Sequence, residues 1–149
     1  MNTFVSHSRV VVRYQETDQM GVAWHGNYIA WFEVARTDWL RAQGMSYLSL
    51  EKNGFLLPVL RIECRYQKAC YYDDVLDIET RLADYNGLRL GFSYIIRRVG
   101  EHENLAQGVT DHVFSRPDLR PLRLKQSAPA LHRLLTGEQD NAREEQSGE

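Results

Sequence analysis

The period of the apolar residues changes once along this chain, and that change limits the folds open to it. From Tyr28 onward, Tyr28, Trp31, Phe32, Ala35, Trp39 and Ala42 recur at three- and four-residue steps, the spacing of one helix face. Ile29, Val34 and Leu40 widen that stripe until its first half is apolar nearly all round, which predicts a buried helix. The helix begins at about Trp24 to Gly26, and Gly44 stands where a left-handed residue ends it. Beyond Gly54 the period drops to two. Leu60, Ile62, Cys64 and Tyr66 alternate with Arg61, Glu63 and Arg65, and Leu76, Ile78, Thr80 and Leu82 alternate with Asp77, Glu79 and Arg81. Leu88, Leu90, Phe92, Tyr94 and Ile96 repeat the pattern, and a weaker run follows from about Asn104 to Ser115. Such alternation describes antiparallel strands with one dry and one wetter face.

Ahead of the helix, Arg9 to Tyr14 is short and β-branched and reads as a strand. Asn86-Gly87 marks a hairpin, Gly100 with Glu101 to Glu103 a further turn, and Pro117 and Pro121 close the last strand. A short helix is expected within Pro129 to Leu135. One strand, one buried helix and a meander of strands make an α+β chain, with a curved antiparallel sheet wrapped around one long central helix. The expected organisation is one domain over residues 1–136, with a polar, structureless tail over 137–149. Such a sheet keeps an open edge and an uncovered face, which a second copy would cover, so a homo-oligomer is expected.

The chain is 149 residues long with a formal net charge of -2, which gives no general basic field for nucleic acid or an anionic membrane. No run approaches the roughly 18 apolar residues of a membrane span, and Met1 to His7 does not read as a signal peptide. The expected location is therefore the cytoplasm. Cys64 and Cys70 form no metal-ligand pattern, and no metal or other cofactor is expected.

The chemistry concentrates before the helix. Asp18 lies seven residues ahead of His25 with Gly21 between them. The first N–H groups of the helix point out of its end and suit an oxygen that becomes negative during a reaction. A carboxylate, a donor-rich helix end and a histidine in one loop are the parts needed to hydrolyse an activated acyl group. Each residue also has a plainer use. Asp18 can make an Asx-turn, His25 can be structural, Asn27 can cap, and Tyr28 can belong to the core.

The run Tyr14-Gln15-Glu16-Thr17-Asp18-Gln19-Met20-Gly21-Val22-Ala23-Trp24-His25-Gly26-Asn27-Tyr28 resembles the signature of the 4-hydroxybenzoyl-CoA thioesterase family. The likeness continues through Phe32 to Thr37 and Tyr71 to Thr80, and extends over about residues 10–124. It implies the hotdog fold and thioester hydrolysis of acyl-CoA or of an acyl group on a carrier protein, without a cofactor. It also implies that Asp18 takes the place of the catalytic aspartate, that the backbone N–H of Trp24 is the oxyanion donor, and that His25 and Asn27 support the loop. Dimers, and dimers of dimers, are expected from the same likeness. Tyr28 and Trp31 are candidates for the acyl pocket. The aromatic-acyl branch carries a basic phosphate-binding cluster where this chain has Asn86-Gly87-Leu88-Arg89, so only Arg89 matches it. Lys68, Arg97, Arg98, Arg116 and Arg123 are further candidates by charge alone. Two competing classes are a silent acyl-CoA-binding module and a dehydratase that would use His25.

Overall fold

The structure, a computed structural model, describes residues 1–138. Strand β1 (Val5–Val11) leads through a 3-10 turn (Tyr14–Glu16) into the long helix α1 (Asn27–Ala42) and the short helix α2 (Tyr47–Lys52). Strands β2 (Val59–Tyr66), β3 (Val75–Tyr85), β4 (Arg89–Arg98) and β5 (Asn104–Val113) follow, then α3 (Leu124–Ser127) and α4 (Pro129–Thr136). The strands form one five-stranded sheet in the order β1-β3-β4-β5-β2, with every pairing antiparallel. This is the sheet-on-helix arrangement of the hotdog fold.

The period-two residues meet the period-3.6 stripe as the sequence predicts. Tyr28, Trp31, Phe32, Ala35, Trp39 and Leu40 of α1 are buried with Leu76, Ile78 and Leu82 of β3 and Leu90, Phe92, Tyr94 and Ile96 of β4. Phe32 stacks on Tyr94 with ring centroids 4.4 Å apart. Gly108 of β5 makes room for that pair, because a Cβ there would overlap the Phe32 ring. Burial of each large side chain is worth about 1.5–3 kcal/mol, so this seam supplies much of the driving force.

Three expectations are corrected. The first strand is Val5–Val11 rather than Arg9 to Tyr14, because the Arg13 N–H donates to the Glu16 carboxylate at 2.8 Å and turns the chain. Helix α1 is not covered all round. Ile29 and Val34 are 46% and 44% exposed, and Ala42 is exposed too, since a single sheet covers one helix face. The alternation in β2 also fails to bury its apolar side, leaving Leu60, Ile62 and Tyr66 exposed. Among the described residues β2 pairs only with β5 and forms an edge of the sheet, while α1 packs mainly over β1, β3 and β4.

Helix α2 was not anticipated. It is only six residues long and is set by Ser46, whose hydroxyl accepts the Ser49 N–H at 3.1 Å. The short C-terminal helix is found at Pro129–Thr136, and it buries Leu131 and Leu135. The tail expected from residue 137 lies, from residue 139, outside the described residues. Among the described residues no helix is long and apolar enough to cross a membrane.

Candidate active site

The loop between β1 and α1 is folded on itself as a small ribbon. Thr17 and Ala23 form an isolated antiparallel bridge, and the Asp18 N–H donates to the Val22 carbonyl at 2.9 Å. The Gly21 N–H returns to the Asp18 carbonyl at 3.0 Å, and Gly21 has φ +78°, a conformation that a Cβ would strain. This turn aims the Asp18 side chain into a cavity of about 250 Å³ lined also by Met20, Val22, His25, Tyr28, Tyr66 and Lys68. Asp18 Oδ1 accepts the Met20 N–H at 2.9 Å, so the Asx-turn is present and one carboxylate oxygen is left to the cavity.

Glu16 holds this loop against the helix. Its carboxylate accepts the Arg13 N–H at 2.8 Å and the Trp31 indole N–H at 3.1 Å. Its carbonyl accepts the Trp24 N–H at 2.8 Å and the Asn27 side-chain amide at 2.6 Å. Burial alone would raise the Glu16 carboxyl pKa, but the hydrogen bonds from Arg13 and Trp31 outweigh it and hold the group below its ordinary value. A depressed carboxyl pKa contributes stability that is present above the ordinary value and is lost as pH falls through the folded one. Glu16→Gln is therefore expected to lower kcat about tenfold or more by loosening the loop, and to flatten the fall of Tm on acidification below about pH 4. Thermal melts from pH 7 to pH 3 on both proteins check this; parallel curves would remove Glu16 from that role.

These bonds correct one expectation. The Trp24 N–H is already given to Glu16, so it is not free for a substrate oxygen. The Trp24 ring is half-exposed and lies over Gly26 instead. Among the described residues the N–H groups of His25 and Gly26, directly ahead of α1, find no acceptor. His25 lines the cavity, and its carbonyl is fixed by the Tyr66 hydroxyl at 2.7 Å.

Asn27, at the start of α1, is tied to the loop by the bond from its side-chain amide to the Glu16 carbonyl. Of the two pocket candidates, Tyr28 lines the Asp18 cavity, whereas Trp31 is buried behind it with its ring centroid 4.8 Å from that of Tyr28. Cys70, beside this site, is no nucleophile. Burial pushes its thiol pKa up, and its sulfur lies 3.1 Å from the Tyr28 hydroxyl.

Among the basic candidates only Lys68 borders the cavity, where it pairs with Glu103. Arg97 pairs with Glu79 at 3.0 Å and Arg98 with Asp74 at 3.0 Å. Arg89 is placed elsewhere. It pairs with Val113 at one end of the sheet, while Tyr66 aligns through Ala106 with Ile96 near the other. Seven residues of strand separate the two levels, roughly 23 Å. Arg116 and Arg123 sit with Arg89, since Phe114 bonds to Leu88 and Leu124 to Gly87.

A carboxylate that lines the same small cavity as His25, whose N–H has no acceptor among the described residues, can hydrolyse an activated acyl group. Comparison with known proteins gives the same answer. Residues 12–131 match the model of the Thioesterase-like superfamily. The chain belongs to that superfamily. This thioesterase-like chain is 32% identical, over 86% of its length and 93% of the relative's, to a putative acyl-CoA thioesterase, YneP, of Bacillus subtilis. It is 33% identical to the acyl-CoA thioester hydrolase YbgC of Escherichia coli, over 70% of this chain and 75% of that protein. Its fold superimposes on the DHNA-CoA thioesterase from Staphylococcus aureus with a TM-score of 0.86 and 34% identity, covering 94% of both chains. As a member of this superfamily, the protein is a thioester hydrolase of the hotdog fold.

Proposed function

We propose that this thioesterase hydrolyses acyl-CoA, with Asp18 as the catalytic carboxylate and the N–H of His25, not that of Trp24, as the oxyanion donor. The observation that carries the reading is the free oxygen of Asp18 sharing a cavity with His25, whose N–H is without an acceptor among the described residues. The thioester carbonyl oxygen sits on the helix end, where the partial positive charge grows in value as the oxygen becomes anionic. Asp18 either attacks the carbonyl carbon, expelling the CoA thiolate and leaving a mixed anhydride for water to open, or takes a proton from an attacking water. The thiolate departs readily, so no further acid is required. Release of free thiol from short, long and aromatic acyl-CoAs tests the activity. Tight binding of acyl-CoA without release would favour the silent module or a carrier-protein substrate. A single turnover in ¹⁸O water tests the anhydride route, because label in Asp18 requires an anhydride that water opens at the Asp18 carboxyl carbon.

The active form is a dimer joined along β2. Among the described residues the outer edge of β2 has no strand beside it, and β2 carries the exposed Leu60 and Ile62. Residues facing each other across an antiparallel pair share a sheet face. A two-fold axis at Ile62 sets Arg61 of each copy opposite Glu63 of the other, whereas an axis at Glu63 sets Arg61 against Arg65. The first register is favoured by charge. It also lays the Val59 end of one copy beside the Tyr66 end of the other, which brings the Arg89, Arg116 and Arg123 end of a second copy towards the Asp18 cavity. Those arginines are then the reading for the CoA phosphates. Ile62→Asp is expected to convert the dimer to monomer in light scattering and to weaken acyl-CoA binding at least tenfold; a dimer of unchanged mass would refute pairing along β2. The reduced thiols of Cys64 and Cys70 support a cytoplasmic location.

A further inference from the structure

Arg36 lies in the apolar stripe of α1 and is 7% exposed. A guanidinium keeps its charge at any working pH, and its removal from water is costly unless an anion compensates it. Here its hydrogen-bonding partners are neutral hydroxyls, and the carboxylates that line the same cavity, Glu33 and Glu51, form no ion pair with it. Nε donates to the Tyr47 hydroxyl at 3.0 Å, the Tyr94 hydroxyl is the other close group, and no carboxylate among the described residues is within ion-pair distance. Beyond these two hydroxyls the guanidinium meets no other side-chain acceptor among the described residues. The side chain lines a cavity of about 600 Å³ between α1, α2 and the Phe55–Pro58 segment, a volume within the range of small-molecule sites. This cavity shares no lining residue with the one at Asp18.

Two features define the ligand. Leu50, Phe55, Leu57 and Pro58 offer apolar walls, so the ligand has an apolar body. The exposed Glu33 and Glu51 complete the lining and disfavour a dianion such as a phosphate monoester. We propose that this cavity binds an amphipathic monocarboxylate, its carboxylate on Arg36 and its apolar body on Leu50, Phe55 and Leu57. Thioester hydrolysis releases one such molecule, the free acid; the far end of a dicarboxylic acyl-CoA supplies the same group. The site depends on Arg36 and not on Asp18 being the catalytic carboxylate.

Calorimetric titration with 4-bromobenzoate, and with 4-bromobenzamide as its neutral counterpart, tests the site on the unmodified protein and on Asp18→Asn. Both proteins are expected to bind the acid at least tenfold more tightly than the amide, with bromine located beside Leu50 in a soaked crystal. Arg36→Gln is expected to lose that preference. Because this change also removes the Tyr47 contact, Thr37→Phe, which fills the cavity and keeps Arg36, is measured beside it and is expected to weaken the acid at least tenfold. Equal affinity for acid and amide, unchanged affinity in a folded Thr37→Phe, or bromine confined to the Asp18 cavity would overturn the proposal. Adipoyl-CoA and hexanoyl-CoA then separate the two sources. A preference for adipoyl-CoA that Thr37→Phe abolishes assigns the site to a substrate carboxylate. Equal turnover, with inhibition by 4-bromobenzoate lost in Thr37→Phe, assigns it to the released acid.

Discussion

Asp18→Asn is expected to lower kcat for acyl-CoA hydrolysis about a thousandfold or more, the upper part of the range for loss of a positioned base, while Tm moves by only about 2 °C. The contrast follows from the contacts of the side chain. Its structural duty is one hydrogen bond accepted from the Met20 N–H, and the carboxamide oxygen of asparagine can accept it equally. What asparagine lacks is the charge needed either to attack a thioester or to take a proton from water. A mutant with less than a tenfold loss would remove Asp18 from the mechanism. A large loss accompanied by a large fall in Tm would instead show that the turn had come apart.

The largest effect on stability is expected from Phe32→Ala, at about 3–5 kcal/mol and so a fall in Tm of roughly 10 °C or more. Phe32 is fully buried, stacks on Tyr94, and fills the space that Gly108 leaves open on β5. Its removal therefore empties a gap between helix and sheet that no neighbouring side chain is placed to refill. Gly108→Ala makes the opposite error at the same place, since its methyl group would overlap the ring. Gly108→Ala should cost less in the Phe32→Ala background than in the unmodified protein, because the ring clash is gone and only the 3.0 Å approach to the Glu63 carbonyl remains. Thermal melts of the two single variants and the double variant measure this coupling; a fall below about 3 °C for Phe32→Ala would mean that the seam is not the core of the fold.

The parts of this molecule that could be read in advance are those decided by local period. Leu76, Ile78 and Leu82 alternate and are buried, and Trp31, Phe32 and Trp39 keep helical spacing and are buried against them. Misreadings arose where a distant partner decides. The pattern of β2 is that of a half-buried strand, but nothing among the described residues covers Leu60 and Ile62. At the site, the Asx-turn at Asp18 was legible in the sequence. The engagement of the Trp24 N–H was not, because it depends on a carbonyl eight residues earlier that only the folded ribbon brings near. The burial of Glu16 and Arg36 was missed for a related reason, since the sequence around a charged residue does not say whether its side chain points to solvent or inward.

The ribbon that carries Asp18 has a further consequence for how activity can diversify. Its stem is locked by the Thr17–Ala23 bridge and by the Glu16 carbonyl, which ties both Trp24 and Asn27 to one atom. Its tip at Gln19 and Met20 is open to solvent, with Met20 80% exposed, yet Met20 still borders the cavity. The tip can thus be exchanged without moving the reacting groups. Libraries limited to residues 19 and 20 should yield enzymes with altered acyl preference and undiminished turnover, a division of labour in which selection tunes the substrate while the chemistry stays fixed.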